Sequence, residues 1–286
     1  MRRVPAPFLV LAAAVTVQSG AGIAKGLFDR LGPSGTVLLR MVFGAAVLVA
    51  LWRPRLRGHK RDDLTIALLF GLALAIMNWT FYEAIDRIPL GITVAIEFAG
   101  PLSVAVAGSR RRLDVIWVVL AAGGILLLVR TGSGHANLAG VAFALAAAAC
   151  WAAYIVLSQR AGRAFPRGEG LALAMAVGTV ALLPVGIAGA GSSLLAAGPL
   201  AIGLAVGLLS SAIPYSLELE ALRRLPSRVF GILLSLDPAI AALVGLVLLD
   251  QGLSAREVLG IACVVAASVG ASLSVEPAVE PVEPLA

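Results

Sequence analysis

Apolar residues in this chain gather into ten runs, at approximately 4–28, 32–52, 64–84, 90–108, 113–129, 138–157, 171–190, 200–217, 229–249 and 253–275. Short connections rich in Arg, Gly and Pro separate them. Each run is close to the ~20 residues that a helix needs to cross the hydrocarbon core of a bilayer. In lipid every backbone N–H and C=O must be satisfied within the segment, so runs of this length predict helices. The expected fold is an all-α membrane protein with ten transmembrane helices.

One segment of the pattern occurs twice. Glu83, Ala84, Arg87, Pro89, Pro101 and Gly108 recur without a gap as Glu220, Ala221, Arg224, Pro226, Pro238 and Gly245, 137 residues later. Five runs separate the start of one copy from the start of the next, and an odd number of spans turns the second copy upside down in the bilayer. The expected organisation is two inverted five-helix repeats, residues 1–133 and 134–275. Inverted duplication suits a secondary transporter, because two near-equivalent halves rock about one central site and open it to either side in turn. The last segment, 276–286, repeats Glu-Pro three times and has no period that buries a face. It is expected to be a disordered cytoplasmic tail.

A composition that is 60% hydrophobic and 13% charged leaves too little polar surface for a soluble globule of 286 residues. The net charge of +6 raises the question of a nucleic-acid partner, and the placement of the charges answers it. With the N-terminus taken as cytoplasmic, sixteen of the 22 Lys and Arg residues fall in cytoplasmic segments, at 2–3, 53–61, 110–112, 160–167 and 223–228. Only Arg30, Arg87, Arg130 and Arg256 fall on the other side, with Lys25 and Arg40 within or at the edge of helices. This is the positive-inside asymmetry. Both termini are expected in the cytoplasm, and the basic loops serve topology, with no nucleic-acid partner.

Met1-Arg2-Arg3 followed by an Ala-rich apolar run also fits a secretory signal peptide. Its removal would leave nine spans and break the repeat. Cys150 and Cys263 lie inside apolar runs on different helices, where a thiol packs as a small residue. His59 and His135 stand in loops without ligand-like neighbours, so no metal site is expected. Gly20-Ala21-Gly22 with Gly26 has the wrong spacing for a dinucleotide loop and no strand before it. No nucleophile elbow, paired His-Glu metal motif or Walker sequence occurs, so neither a cofactor nor an enzymatic activity is expected.

Ionisable and amide side chains in mid-span are costly in lipid and mark candidate function. Glu97 lies seven residues after Leu90 in the fourth run, with Thr93 and Gly100 on the same helix face. Pro101 has no N–H to donate to the carbonyl of Glu97 itself, so a carboxylate stands beside a freed backbone acceptor, which suits a cation or a proton. In the ninth run the acid is Asp237, immediately before Pro238 and three positions later than the repeat of Glu97 would fall. Helix breaks are expected at Pro101 and Pro238.

Each candidate also has a plainer reading. Glu97 can be permanently neutral, or paired with Arg40, and only fix helix packing; Asp237 can satisfy backbone donors at the break. Lys25 can snorkel to the interface or meet a substrate carboxylate. Arg40 can snorkel too, or pair with Glu83 or Glu97. Asn78, Trp79 and Tyr82 in the third run, and Ser210, Ser211 and Tyr215 with Pro214 in the eighth, either line a cavity or hydrogen-bond neighbouring helices.

Several stretches carry a family resemblance: Gln18-Ser19-Gly20-Ala21 with Ala24-Lys25, and Ile88-Pro89-Leu90-Gly91-Ile92 running to Glu97-Phe98-Ala99-Gly100-Pro101. Others are Ala149-Cys150-Trp151-Ala152-Ala153-Tyr154 with Gln159-Arg160-Ala161-Gly162, then Ile213-Pro214-Tyr215-Ser216-Leu217-Glu218, and Asp237-Pro238-Ala239. Together they resemble the EamA-type drug/metabolite transporter superfamily, and within it the bacterial inner-membrane exporters of threonine and homoserine. The resemblance covers nearly the whole chain except the tail. It implies ten helices in two inverted repeats around a cavity lined by the third, fourth, eighth and ninth helices. One departure is Asp237, where the resemblance leads one to expect a glutamate; the carboxylate is kept on a shorter side chain.

On this resemblance the chain is expected to export a small zwitterionic amino acid, threonine- or homoserine-like, across the inner (cytoplasmic) membrane. A coupling proton and membrane lipid are its other expected partners. A buried ammonium and carboxylate need opposite charges or oriented dipoles. Glu97 is the candidate for the ammonium or for the proton, and Asn78, Trp79, Tyr82, Tyr215, Ser211, Asp237, Lys25 and Arg40 complete the candidate substrate site. The alternative on the same fold is export of a drug, a purine or another metabolite, kept open by Trp79, Tyr82, Trp151 and Tyr154. A membrane-embedded enzyme is more remote, since it needs a catalytic pair or metal ligands near the cytoplasmic surface.

Overall fold

A computed structural model describes residues 4–55, 58–107, 114–129 and 137–274, and every regular element among them is helical. The helices are α1 (Ala6–Lys25), α2 (Phe28–Trp52), α3 (Arg61–Arg87), α4 (Leu90–Glu97), α5 (Ala99–Ala107), α6 (Asp114–Val129) and α7 (Leu138–Ala164). They continue with α8 (Glu169–Ala190), α9 (Ala197–Gly207), α10 (Ile213–Leu222), α11 (Ser227–Leu234), α12 (Asp237–Leu249) and α13 (Ala255–Ser274). Nine stretches of the described residues are long and apolar enough to cross a membrane, and Val115–Val129 is a shorter apolar helix. The tail 276–286, the basic triplet 110–112 and His135 lie outside the described residues.

The helices fall where the apolar runs do, with ends that hydropathy does not set. α7 continues to Ala164 through Ser158, Gln159 and Arg160, because helical hydrogen bonding outlasts the apolar face that hydropathy detects. At the start of α2, Gly32 (φ 64°, ψ 171°) turns the chain into the helix ahead of Pro33. That left-handed φ is open to glycine at little steric cost.

Three spans are interrupted. α4 ends at Glu97, one turn before Pro101, and α5 begins at Ala99; the Pro101 ring clashes with the preceding turn and its nitrogen has no proton for the Glu97 carbonyl. The ladder resumes with Leu102 N donating to the Phe98 carbonyl at 3.2 Å. α11 ends at Leu234 and α12 begins at Asp237, with Pro238 in its first turn. α4 and α11 stand 137 positions apart at both ends. Between α9 and α10 lies a π-helical turn, Leu208–Ala212, in which Ile213 N–H reaches back to the Leu208 carbonyl. Turns of this type are commonly found at functional sites.

Packing is reciprocal between the halves: α3 lies on α7 and α1 on α10, while α2 pairs with α8 and α6 with α13. Small residues permit the close approaches, as expected where no hydrophobic drive separates helix from lipid. A Cβ on Gly71 would lie 2.7 Å from the Ala174 carbonyl oxygen on α8, and one on Gly178 would lie 2.9 Å from the Gly71 carbonyl oxygen. Gly71→Val should therefore cost about 1–3 kcal/mol of stability through overpacking. Thermal unfolding in detergent checks this, with Gly123→Ala, whose Cβ meets nothing within 4 Å, expected to leave the midpoint in place.

Candidate functional site

The interrupted spans meet at the centre of the bundle. Arg40, on α2, is only 6% exposed, so it does not snorkel. Its Nη2 donates to the Ser210 carbonyl at 2.9 Å and its Nε to Ser211 Oγ at 3.4 Å, both in the π turn. Its guanidinium carbon lies 5.6 Å from the centre of the Tyr82 ring, a cation–π geometry. The turn fits there because Gly44 presses against Ser211 from α2 and Gly20 against Ser210 from α1.

Glu97 at the end of α4 and Asp237 at the start of α12 are both buried and close enough to interact electrostatically, and Glu97 is also within reach of Arg40. Gln18 on α1 is within reach of the Asp237 carboxyl. Tyr215 is within electrostatic reach of Arg40, Glu218 and Glu97, and Glu218 within that of Asp237. The centre thus sets three carboxyl groups against one guanidinium. Gln18 Oε1, Tyr82 Oη, Ser210 Oγ and Asp237 Oδ1 are buried without a protein hydrogen-bond partner. Each such group costs about 1–3 kcal/mol. Four on the helices that meet here leave the centre with hydrogen-bonding capacity that the protein itself does not meet.

Other candidates from the sequence sit elsewhere. Lys25 Nζ donates to the Ile85 carbonyl at 2.6 Å. That carbonyl has no helical donor, since residue 89, four positions on, is proline. Lys25 therefore closes the end of α3. Lys25→Met should lower stability by about 1–3 kcal/mol by stranding the carbonyl, measured by thermal unfolding, while leaving the half-saturation for solute unchanged. Trp79 Nε1 donates to Ser34 Oγ at 2.9 Å, Ser34 donates to Glu83 Oε1 at 3.2 Å, and Arg87 pairs with Glu83 Oε2 at 2.6 Å. Glu83 is thus held by Arg87 and Ser34, and Arg40 turns instead to the π turn. The Asn78 amide donates to the Leu74 carbonyl of its own helix at 2.7 Å. Around Glu97, the Thr93 hydroxyl bonds the Pro89 carbonyl at 3.1 Å and Gly100 packs on the Ala148 backbone of α7, so neither extends a polar stripe.

A cavity of about 260 Å³ lies between the centre and one end of the bundle, lined among others by Trp52, Tyr154, Ser158, Arg167, Tyr215 and Glu218. That end carries Arg53, Arg55, Arg167 and Arg223. At the opposite end, the Lys25 bond to α3 and the Trp79–Ser34–Glu83–Arg87 chain tie helices together, and Gln251 Oε1 accepts from Leu90 N at 2.9 Å. The cavity thus lies at the basic end, and the bonds that tie helices together lie at the other. Gln18 and Glu218 carry no signal in the hydropathy pattern beyond an amide inside the first apolar run and an acid directly after the eighth.

A bundle of membrane-length helices with interrupted spans, a buried mixed-charge centre and a cavity toward one end is the architecture of a multi-pass membrane transporter. The chain belongs to the EamA-like transporter family, whose model matches residues 138–273. It is similar over 97% of its length to the threonine/homoserine exporter RhtA of Salmonella typhimurium (strain SL1344), at 44% identity and with 95% of that protein covered. With RhtA of Escherichia coli (strain K12) it shares 42% identity over 93% of this chain and 91% of the other. One solved protein crystal structure has the same fold, with a TM-score of 0.65 over 94% of this chain and 96% of that one, at 19% identity. The protein is a transporter and not an enzyme, as its relatives are.

Proposed function

We propose that the protein exports threonine, homoserine or a similarly small amino acid from the bacterial cytoplasm in exchange for protons. The observation that carries this reading is the full-length similarity to threonine/homoserine exporters, combined with a centre whose chemistry suits a zwitterion. Glu97 and Asp237 offer charge to an ammonium, and Arg40 with the π-turn donors offers it to a carboxylate. The cavity, just under the ~300–1,000 Å³ that drug-sized ligands occupy, favours a small solute over a drug.

The two halves act as inverted five-helix repeats, 1–133 and 134–275. The 137-residue recurrence, the matching registers of α4 and α11 and the reciprocal packing support this. The inner membrane is the site of action, with both termini in the cytoplasm and the basic end facing inward. In this orientation the centre is loaded from the cytoplasm while the Glu83–Arg87 end stays closed. Rocking of the repeats then opens the other side. Glu97 alternates between the ammonium and a proton. One charge moving inward is worth about 2.3 kcal/mol per 100 mV, and at about 1.4 kcal/mol per decade it sustains somewhat under two decades of gradient.

Counterflow of radiolabelled threonine in proteoliposomes tests the substrate. Accumulation of label that unlabelled homoserine suppresses, and that purines and lipophilic cations do not, is the expected result. Label that fails to accumulate with threonine but does so with another solute of the panel overturns the substrate assignment.

A further inference from the structure

Glu218 is the acid of the basic-end cavity, and the mechanism above leaves it without a task. It lies on α10, one turn beyond Tyr215, and lines the cavity together with Tyr154, Ser158, Ser216 and Arg167. Among the described residues no salt bridge reaches it, in contrast to Glu83 and Glu220, the repeated acids, each of which holds an arginine four positions on. Its neighbours in electrostatic terms are Asp237, a further acid, and the hydroxyls of Tyr154 and Tyr215. An uncompensated carboxylate in mid-bundle is costly, so Glu218 takes either a proton or a cation. Asp237, seven-hundredths exposed with its Oδ1 unpartnered, adds an independent acceptor without a donor on the inner side of Glu218.

The same cavity holds a cation at its outer rim. Arg167 is exposed in the connection between α7 and α8 and is held at φ 54°, a left-handed conformation followed by Gly168. One wall therefore carries an acid, toward the centre, and the mouth carries a guanidinium suited to bidentate recognition of a carboxylate. Tyr154 and Tyr215 stand beside the acid with hydroxyls that bond either a solute hydroxyl or an ammonium.

We infer that this cavity is a loading site for the exported amino acid, in which Glu218 takes the ammonium and Arg167 the carboxylate before the solute passes to Glu97 and Asp237. The inference rests on the exporter reading and adds to it a site and a direction of entry. The zwitterion enters ammonium first. Glu218 hands the ammonium to Asp237, the acid within its electrostatic reach, and Asp237 is in turn within that of Glu97. Loading then depends on both charges of the solute, so an analogue lacking either one is rejected at the mouth and not at the centre.

Competition against radiolabelled threonine counterflow in proteoliposomes tests it, with three unlabelled competitors: threonine, 2,3-dihydroxybutanoate, which lacks the ammonium, and threoninol, which lacks the carboxylate. The native protein should prefer threonine to both analogues. Glu218→Gln should weaken threonine as a competitor about tenfold, the scale of one charge-assisted hydrogen bond, and erase its advantage over 2,3-dihydroxybutanoate, with the maximal rate largely kept. Glu218→Asp should restore most of the preference, which a purely structural role would not do. Arg167→Gln should erase the advantage over threoninol alone. Native counterflow with unchanged competitor ratios in Glu218→Gln and Arg167→Gln overturns the loading site and leaves the exporter reading in place. A native protein that moves no threonine overturns both.

Discussion

Glu97→Gln should reduce threonine counterflow by roughly ten- to a hundredfold, the range expected when a charge-assisted hydrogen bond of about 1.5–3 kcal/mol is lost, without lowering thermal stability. The two halves of this expectation have separate causes. Gln keeps the volume of Glu at the α4–α5 break and so keeps its packing. It also ends the electrostatic opposition between Glu97 and Asp237, while Arg40 keeps its bonds to the π turn and is not left without partners. Transport loses the group that answers both the ammonium and the proton. If Glu97 were only a packing residue, as the plainer reading of the sequence has it, the outcome would be reversed, with a shifted melting temperature and intact counterflow. Radiolabel uptake and thermal unfolding on the same preparation separate the two.

Arg40→Met should be the most destabilising single change at the centre, costing about 3–5 kcal/mol, the scale on which one partner of a buried charge pair is lost. The guanidinium answers the Ser210 carbonyl and Ser211 hydroxyl of the π turn, covers the Tyr82 ring and is the cation nearest Glu97. Met fills the space and answers none of these. Arg40→Lys keeps the charge but loses the fork, so it should retain more folded protein than Met while transporting poorly. The double variant Arg40→Met with Glu97→Gln should recover part of the lost stability, since the acid left without a counter-charge is gone. A double-mutant cycle of melting temperatures reads this coupling. Strict additivity would mean that Arg40 serves the π turn alone.

How much of this could be read from the chain depends on which interactions are local. The spans were legible because lipid imposes a length and a composition on each helix, and the breaks at α4–α5 and α11–α12 were legible because Pro101 and Pro238 act on residues within one turn. Glu97 and Asp237 stood out because acids are rare in such runs. The π turn at Leu208–Ala212 was not legible, since nothing in Leu-Leu-Ser-Ser-Ala demands it. It is stabilised by Arg40 from α2, 170 positions away, and by glycines on two other helices. Lys25 shows a half-legible case. Pro89 announces that the Ile85 carbonyl lacks a donor, but not that a lysine 60 residues earlier provides it. Trp79 and Asn78 were plausible cavity residues by position, yet each spends its donor on a nearby acceptor, Ser34 for one and the Leu74 carbonyl for the other. Glu218 was not legible because it falls directly after the eighth apolar run, and the cavity that it lines is completed by α7 and α8 from elsewhere in the chain.

Proton movement during threonine flux tests the exchange of threonine for a proton at Glu97 most directly. Proteoliposomes loaded with threonine and a trapped pH-sensitive dye, with the membrane potential clamped, are diluted into threonine-free buffer of equal pH. Outflow through the native protein should draw protons in and acidify the interior, and Glu97→Gln should abolish the acidification as the flux falls. Threonine leaving the native vesicles at full rate with no change in internal pH would contradict proton exchange and leave Glu97 as an anchor for the substrate alone.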